Sequence, residues 1–374
     1  MGSGRVGVVA IGRNEGERLR ACLEAIVRAG APATYVDSGS TDGSVALAQR
    51  LGVQVVELDM SVPFTAARAR NAGFKRLLEA HPELQFIQFI DGDCEMADRW
   101  LDVAAQTLEE RPELAIVAGR CRERHPDASV YNRICDLEWD TPVGDSEKCG
   151  GIFLIRALAL RQVQGFNPAL IAGEEPEMCV RLREKGWRVW RIGEEMNLHD
   201  AAITRFGQWW RRMIRGGHAF AEVSGMHPQS PKRIWVRETR SSLGWGLVVP
   251  ITIVSLACLA LIVALAAPSQ GWPAWLWRGA AASAVGLGAL YPVLLAKVYL
   301  SQRRQGRSPR DAALYAASVV LAKPAQAIGV LKFRASRLSG KRTGLIEYKT
   351  PAPVPAPPKT PRTIAEETEE ALAS

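Results

Sequence analysis

The chain has no Gly-x-Gly-x-x-Gly turn joining a strand to the helix after it and no Walker loop, which excludes the common dinucleotide and P-loop chemistries. Its seven cysteines are scattered with no close pair at metal-site spacing, so a cysteine-bound zinc is excluded and a reducing compartment fits. No amino-terminal signal stretch is expected, since residues 1–5 lead straight into an apolar strand pattern. Charge is missing from two long runs: residues 243–267 and 279–296 contain no Asp, Glu, Lys or Arg. The rest is ordinary for a folded chain, with 374 residues, 47% apolar, 23% charged and a net charge of +8.

As a helix, the first uncharged run reaches about 37 Å, more than the roughly 30 Å hydrocarbon layer of a bilayer, and is expected to cross it with some tilt. The second, about 27 Å, crosses only if flanking residues snorkel. Trp272, Trp275 and Trp277 between the runs suit a membrane interface. Basic residues set the orientation. Arg237 and Arg240 precede the first run and Lys297, Arg303 and Arg304 follow the second, while the 268–278 connection holds only Arg278. Both flanks are therefore expected on the cytoplasmic side. A third apolar stretch, 312–331, is interrupted by Lys323-Pro324 and followed by Lys332, Arg334 and Arg337, which also favour the inside. It is expected to be interfacial or re-entrant rather than a third span. The positive balance then reads as attraction to anionic membrane lipid, not to nucleic acid. Residues 350–374, proline-rich and then acidic, are expected to be disordered.

Ahead of these runs, strand-like and helix-like patterns alternate. A β-branched run at 6–11 precedes Leu19, Cys22, Leu23, Ile26 and Val27 at helical spacing; residues 33–36 form a strand ending at Asp37; turn and cap residues fill 38–43. Strand 53–58, helix 69–78 and strand 86–90 continue the order, which predicts an α/β fold with a mostly parallel sheet. Asp91-Gly92-Asp93 follows directly and places two carboxylates at the carboxyl end of a buried strand, where open α/β sheets bind ligands. Such a pair can hold a hard divalent cation against phosphates. The same triplet also serves as a turn whose side chains cap backbone groups.

Residues 8–15 (VVAIGRNE), 35–44 (YVDSGSTDGS), 69–73 (ARNAG), Asp91 to Asp93 and 173–183 (GEEPEMCVRLR) stand in the order found in family 2 glycosyltransferases, and over about residues 5–225 the chain resembles that family. The resemblance implies a GT-A type nucleotide-diphospho-sugar transferase fold, an inverting mechanism and a divalent metal, Mg²⁺ or Mn²⁺. The uncharged runs followed by Gly344-Leu345-Ile346-Glu347-Tyr348-Lys349 resemble membrane-bound bacterial members that build surface polysaccharide or glycolipid. Position by position, the resemblance implies Asn14, Glu15, Asp37, Arg70 and Asp91 on the donor nucleotide, with Asp37 accepting from the base and Arg70 beside the diphosphate. The family's Asp-Asp-Gly-Ser is here Asp37-Ser38-Gly39-Ser40, and the residues alone favour Asp37 as a turn acid and Arg70 as a solvated helix residue. Asp93 resembles the metal-bridging acid, supported by Asp91. His199 resembles a histidine that completes the metal shell, although a single histidine is usually structural.

Glu174-Glu175 stands where the family carries its catalytic acid pair, at the start of a helix that favours the anionic form. Glu175 is the expected general base and Glu174 the alternative; acids in a first helical turn also serve the helix dipole alone. Gln208, Arg211 and Arg212 partly match the Gln-x-x-Arg-Trp motif of processive synthases, with Arg212 in the tryptophan's place. They are read as acceptor-side or membrane-side residues.

The expected organisation is a cytoplasmic catalytic domain (1–225), a basic juxtamembrane linker (226–242), two transmembrane helices (243–298), a basic cytoplasmic segment with an interfacial or re-entrant helix (299–349) and the tail. The expected function is transfer of a sugar from a nucleotide-diphospho-sugar to a lipid-linked glycan by a multi-pass protein of the cell inner membrane. The alternatives are transfer to a polyprenyl phosphate, and a catalytically silent membrane scaffold.

Overall fold

The computed structural model describes residues 5–230, 233–340 and 343–348. The tail expected to be disordered, at 350–374, lies outside the described residues. In chain order the first half runs β1 (Val6–Gly12), α1 (Glu17–Arg28), β2 (Ala33–Asp37), α2 (Ser44–Arg50), β3 (Gln54–Glu57), α3 (Ala66–Ala80), β4 (Phe86–Asp91), β5 (Cys94–Met96), α4 (Trp100–Glu110) and β6 (Leu114–Glu123). It continues with α5 (Val130–Trp139), β7 (Gly144–Asp145), β8 (Phe153–Arg156), α6 (Ala157–Gln162), α7 (Glu174–Glu184), β9 (Arg188–His199) and α8 (Phe206–Met226). The carboxyl-terminal helices are α9 (Val236–Leu243), α10 (Val249–Gln270), α11 (Trp275–Arg304) and α12 (Pro309–Ser339), with a π-helical turn at Gly244–Val248 between α9 and α10.

The sheet runs β3-β2-β1-β4-β8-β6-β9-β5, with β7 on β9. Its first four strands are parallel, and β8 runs antiparallel between β4 and β6. The continuous apolar run of β1 follows from burial on both faces. Val6, Val8 and Ala10 pack with Leu19, Cys22, Leu23 and Ile26 of α1, while Val9 and Ile11 pack with Ala67, Ala69 and Leu77 of α3. The register pairs Gly12 with Asp37 and Ile11 with Asp91. The carboxyl ends of β1, β2 and β4 therefore lie side by side, and the loops that leave them share one rim.

Among the described residues three helices are long and apolar enough to cross a membrane: Val236–Ala266, Trp275–Arg304 and Pro309–Ser339. The second is longer than its uncharged run, because Trp275 and Trp277 begin the helix instead of lying in the connection. The break expected at Lys323-Pro324 is absent, and α12 continues through Pro324. One face of α12 is covered by α8 and by the π-helical turn, so 39% of its apolar window is buried against 6% for each of the other two. These crossings depend on glycine. A Cβ at Gly217 would lie 2.0 Å from the Gln326 carbonyl oxygen, one at Gly246 2.1 Å from that of Lys323, and one at Gly329 2.1 Å from that of Ile214.

Gly217→Val should push α8 off α12 and destabilise the protein by about 1–3 kcal/mol, read as a lower thermal midpoint. Gly207→Ala on the same helix meets open space and should raise the midpoint slightly.

Candidate active site

The loop after β1 is tied to the loop after β2. The Asn14 amide donates to Ser40 Oγ (2.9 Å) and its Oδ1 accepts from the Thr41 amide (2.7 Å), while the Gly16 amide donates to Asp42 Oδ2 (2.9 Å). Asn14 sits at φ 54°, a left-handed conformation that asparagine tolerates better than other side chains. Asp37 is buried and fully engaged. It accepts the Tyr35 hydroxyl on Oδ1 (2.9 Å) and the Gly39 and Ser40 amides on Oδ2 (3.0 and 2.8 Å). This is the arrangement of a turn acid, set back from the large cavity beside it. Glu15 reaches that cavity with Arg18 held against its carboxylate at 2.9 Å.

The cavity has a volume of about 880 Å³ and is bounded by the strand ends, the start of α7, and α8, α9 and α12. Arg70, buried on α3, stands at its floor. Its Nη1 meets Glu174 Oε1 at 2.6 Å and Glu175 Oε1 at 3.0 Å, and its Nη2 meets Asp91 Oδ1 at 2.9 Å. Burial alone would weaken the guanidinium's hold on its proton; Glu175, Asp91 and Glu174 outweigh it and hold Arg70 charged. One cation thus serves three carboxylates, so the cluster keeps an excess of negative charge. Gly151 fills the remaining space: a Cβ there would lie 3.2 Å from Asp91 Oδ2 and 3.3 Å from both Arg70 Nη2 and Glu175 Oε1.

The two acids of α7 differ. Gly173 caps the helix in the left-handed region (φ 85°), which turns the chain so that Glu174 and Glu175 both enter the cavity. The Glu174 side chain is 4% exposed and pinned by Arg70, whereas that of Glu175 is 13% exposed. Burial, then the neighbouring Glu174, push the Glu175 carboxyl up to about 7, against the opposing pull of Arg70.

Asp91 and Asp93, one residue apart, face different partners. Asp91 turns its Oδ1 to Arg70 and lines the cavity. Asp93 Oδ2 lies 3.2 Å from His199 Nε2, brought there by the antiparallel pairing of β5 with the end of β9. Asp93, Cys94 and His199 place one donor atom each within 4.8 Å of one another. Burial pushes the Cys94 thiol up to about 12, and its sulfur is the soft donor of the three. The carboxylate and imidazole that remain match the oxygen and nitrogen preference of Mg²⁺ or Mn²⁺, and both line the cavity, leaving room for further donors. Trp139, at the end of α5, stacks on the His199 ring (centroids 4.5 Å apart, planes 6° apart) and fixes its plane.

Gln208, Arg211 and Arg212 go to three places. Gln208 is buried, its Oε1 accepting the Thr204 and Arg205 amides (both 3.0 Å), which makes it part of the cap of α8. Arg211 is exposed outside the cavity, and Arg212 lines the cavity, paired with Glu138 at 2.6 Å. Trp139 and Gly151 were not singled out by sequence. A Cys149-Gly150-Gly151 run between elements was the only cue to the second, and nothing in the local pattern marked the first.

Residues 8–147 match the family model described as glycosyl transferase family 2. No curated protein matches the chain in sequence. Among solved structures it is similar to the mannosyltransferase PcManGT from Pyrobaculum calidifontis in complex with GDP-Man and Mn²⁺, at 14% identity over 88% of this chain and 87% of that one, with a TM-score of 0.53. It also resembles residues 1–349 of S. aureus TarS (12% identity, 90% and 92% covered, TM-score 0.48). A third is glucosyl-3-phosphoglycerate synthase from Mycobacterium tuberculosis in complex with Mn²⁺, UDP and glucosyl-3-phosphoglycerate (15% identity, 60% and 79% covered, TM-score 0.43). The amino-terminal domain has the GT-A fold. Within it, residues 8–147 are the part similar to family 2 glycosyltransferases.

Proposed function

We propose that the protein is a membrane-anchored, metal-dependent inverting glycosyltransferase that moves a sugar from a nucleotide-diphospho-sugar to a lipid-linked glycan at the cytoplasmic face of the cell inner membrane. The observation that carries this reading is the meeting, in one cavity, of Glu175 with a carboxyl near 7, the Asp93–His199 pair, and a wall made by the apolar helix α12. The donor's nucleotide would lie across the ends of β1, β2 and β4, against Asn14, Glu15 and Asp91, with Asp37 bracing the loop beneath the base. Asp93 and His199 would hold Mg²⁺ or Mn²⁺, as the PcManGT structure contains Mn²⁺. When bound, the ion supplies charge to neutralise the departing diphosphate. Glu175 takes the proton of the attacking hydroxyl, Arg70 and Gly151 fix the direction of its carboxylate, and Glu174 anchors Arg70.

The experiment is a panel of nucleotide sugars added to the purified full-length protein with and without Mg²⁺ or Mn²⁺, read as thermal stabilisation. One donor should raise the midpoint only when metal is present; no donor doing so would overturn the reading.

For the membrane arrangement, single cysteines in a Cys258→Ala background should react with an impermeant reagent from outside intact cells at Ala274, between α10 and α11. They should not react at Gln305 or Ser339, beyond the basic flanks. Outside labelling at Ser339 would mean that α12 crosses the bilayer.

A further inference from the structure

The cations that line the cavity sort into two sets. Arg13 pairs with Glu347 (3.2 Å), Arg18 with Glu15 (2.9 Å), Arg70 with its three acids, Arg191 with Asp140 (3.6 Å) and Arg212 with Glu138 (2.6 Å). Lys148, Arg215 and Lys323 have no carboxylate within ion-pair distance among the described residues. Lys148 lies over the Trp235 ring (6.0 Å) and Arg215 over the Tyr348 ring (5.7 Å), while Lys323 feels Glu238 only from beyond ion-pair range.

Lys323 is the anomaly. It interrupts the apolar part of a helix long enough to cross a membrane, where a cation is costly unless it meets an anion or water. The structure turns it inward: Lys323 lines the cavity, while Leu321, Ile328 and Leu331 of the same helix are exposed on the outside. Its height is fixed by glycine, because Gly246 packs on the Lys323 backbone; one turn along, Gly217 packs on Gln326, and Arg215, two residues before Gly217 on α8, lines the same cavity. Lys148 lines the cavity on the side of the start of α7, since Trp235 beneath it also packs on Gly173, the cap of the helix that carries Glu175.

We propose that Lys323, Arg215 and Lys148 form a binding site for the phosphate of a lipid-borne acceptor. The inference rests on the reading of the cavity as a glycosyltransferase site and names its second substrate more closely. A lipid phosphate is confined to the bilayer surface with its chain in the apolar layer. A cation on the inward face of an apolar helix meets that phosphate, while the outward leucines and isoleucine stay in lipid. Two lysines and an arginine with no carboxylate at ion-pair distance among the described residues offer charge-assisted hydrogen bonds that a neutral lipid cannot use.

The test uses the full-length protein in detergent micelles and follows tryptophan fluorescence during titration with a polyprenyl monophosphate, the uncharged polyprenol of equal chain length, and inorganic pyrophosphate. The phosphate should bind at least about tenfold more tightly than the polyprenol. Lys323→Gln and Arg215→Gln should each weaken phosphate binding about tenfold or more, and Lys323→Arg should restore most of it. Binding unchanged in both glutamine variants, or polyprenol binding as tight as the phosphate, overturns the proposal. Pyrophosphate binding as tightly as the lipid and competing with a nucleoside diphosphate would assign the cations to the donor instead, and also overturns it. If Lys323→Gln fails to fold, Arg215→Gln and Lys148→Gln decide. Absence of metal-dependent nucleotide-sugar binding in the unmodified protein would refute the glycosyltransferase reading separately, leaving the lipid titration to decide this one.

Discussion

Asp93→Ala should lower turnover by at least about a hundredfold, equivalent to about 2.7 kcal/mol of transition-state stabilisation. Asp93 is buried at the end of the cavity and its carboxylate is the one acidic donor within reach of His199 Nε2, at 3.2 Å among the described residues. Without it the imidazole stays in place, stacked on Trp139, but a hard cation loses its oxygen ligand. Cys94 is a poor substitute, because its soft sulfur does not suit a hard cation that prefers oxygen donors. The variant should therefore also lose the metal-dependent part of donor-induced thermal stabilisation while its own midpoint stays close to that of the parent. Near-normal turnover in Asp93→Ala, or full activity of the parent protein in excess chelator, would refute the metal role.

The α/β alternation, and with it the parallel strands that build the rim, was legible because buried parallel strands write themselves as uninterrupted apolar runs such as residues 6–11 and 86–90. The start of α7 was legible for a local reason too: a glycine, two acids and a proline in a row mark a helix start. What sequence could not carry is contact across distance. Arg70 and Glu174 are 104 positions apart, and only the fold shows that the guanidinium is shared among three acids. Gln208 looked like part of a recognition motif because the same residue type caps helices, and the two uses have the same local pattern. Lys323-Pro324 read as an interruption for a similar reason. A lysine and a proline in an apolar run are punctuation locally, but the covering elements α8 and the π-helical turn support the helix there and turn the lysine into the cavity.

Glu175→Gln should separate catalysis from stability by moving them in opposite directions. Glutamine keeps the size and hydrogen bonding of the side chain and cannot accept a proton, so transfer to a hydroxyl acceptor should fall by about two to four decades with little change in donor affinity. The pH profile of the parent protein carries the same assignment. Burial raises the Glu175 carboxyl to about 7, so kcat/KM on a hydroxyl acceptor should rise with pH through about 7, reach a plateau above it, and lose that limb in the variant. Stability runs the other way. A carboxyl whose folded value lies above its usual 4.5 opposes folding progressively as pH rises between 4.5 and about 7, because the unfolded chain ionises more readily; Glu175→Gln should thus have the higher thermal midpoint at pH 8 and little advantage at pH 4. A phosphate acceptor is already anionic at neutral pH and should be affected much less, so rates on a glycan-lipid and on a bare polyprenyl phosphate distinguish the two acceptor chemistries. Glu174→Gln should behave differently again: it removes the partner that holds Arg70 Nη1 at 2.6 Å, and loss of activity should come with loss of stability. If the glycan-lipid reaction survives in Glu175→Gln and fails in Glu174→Gln with stability intact, the base is Glu174; if both variants stay active, neither acid takes the proton.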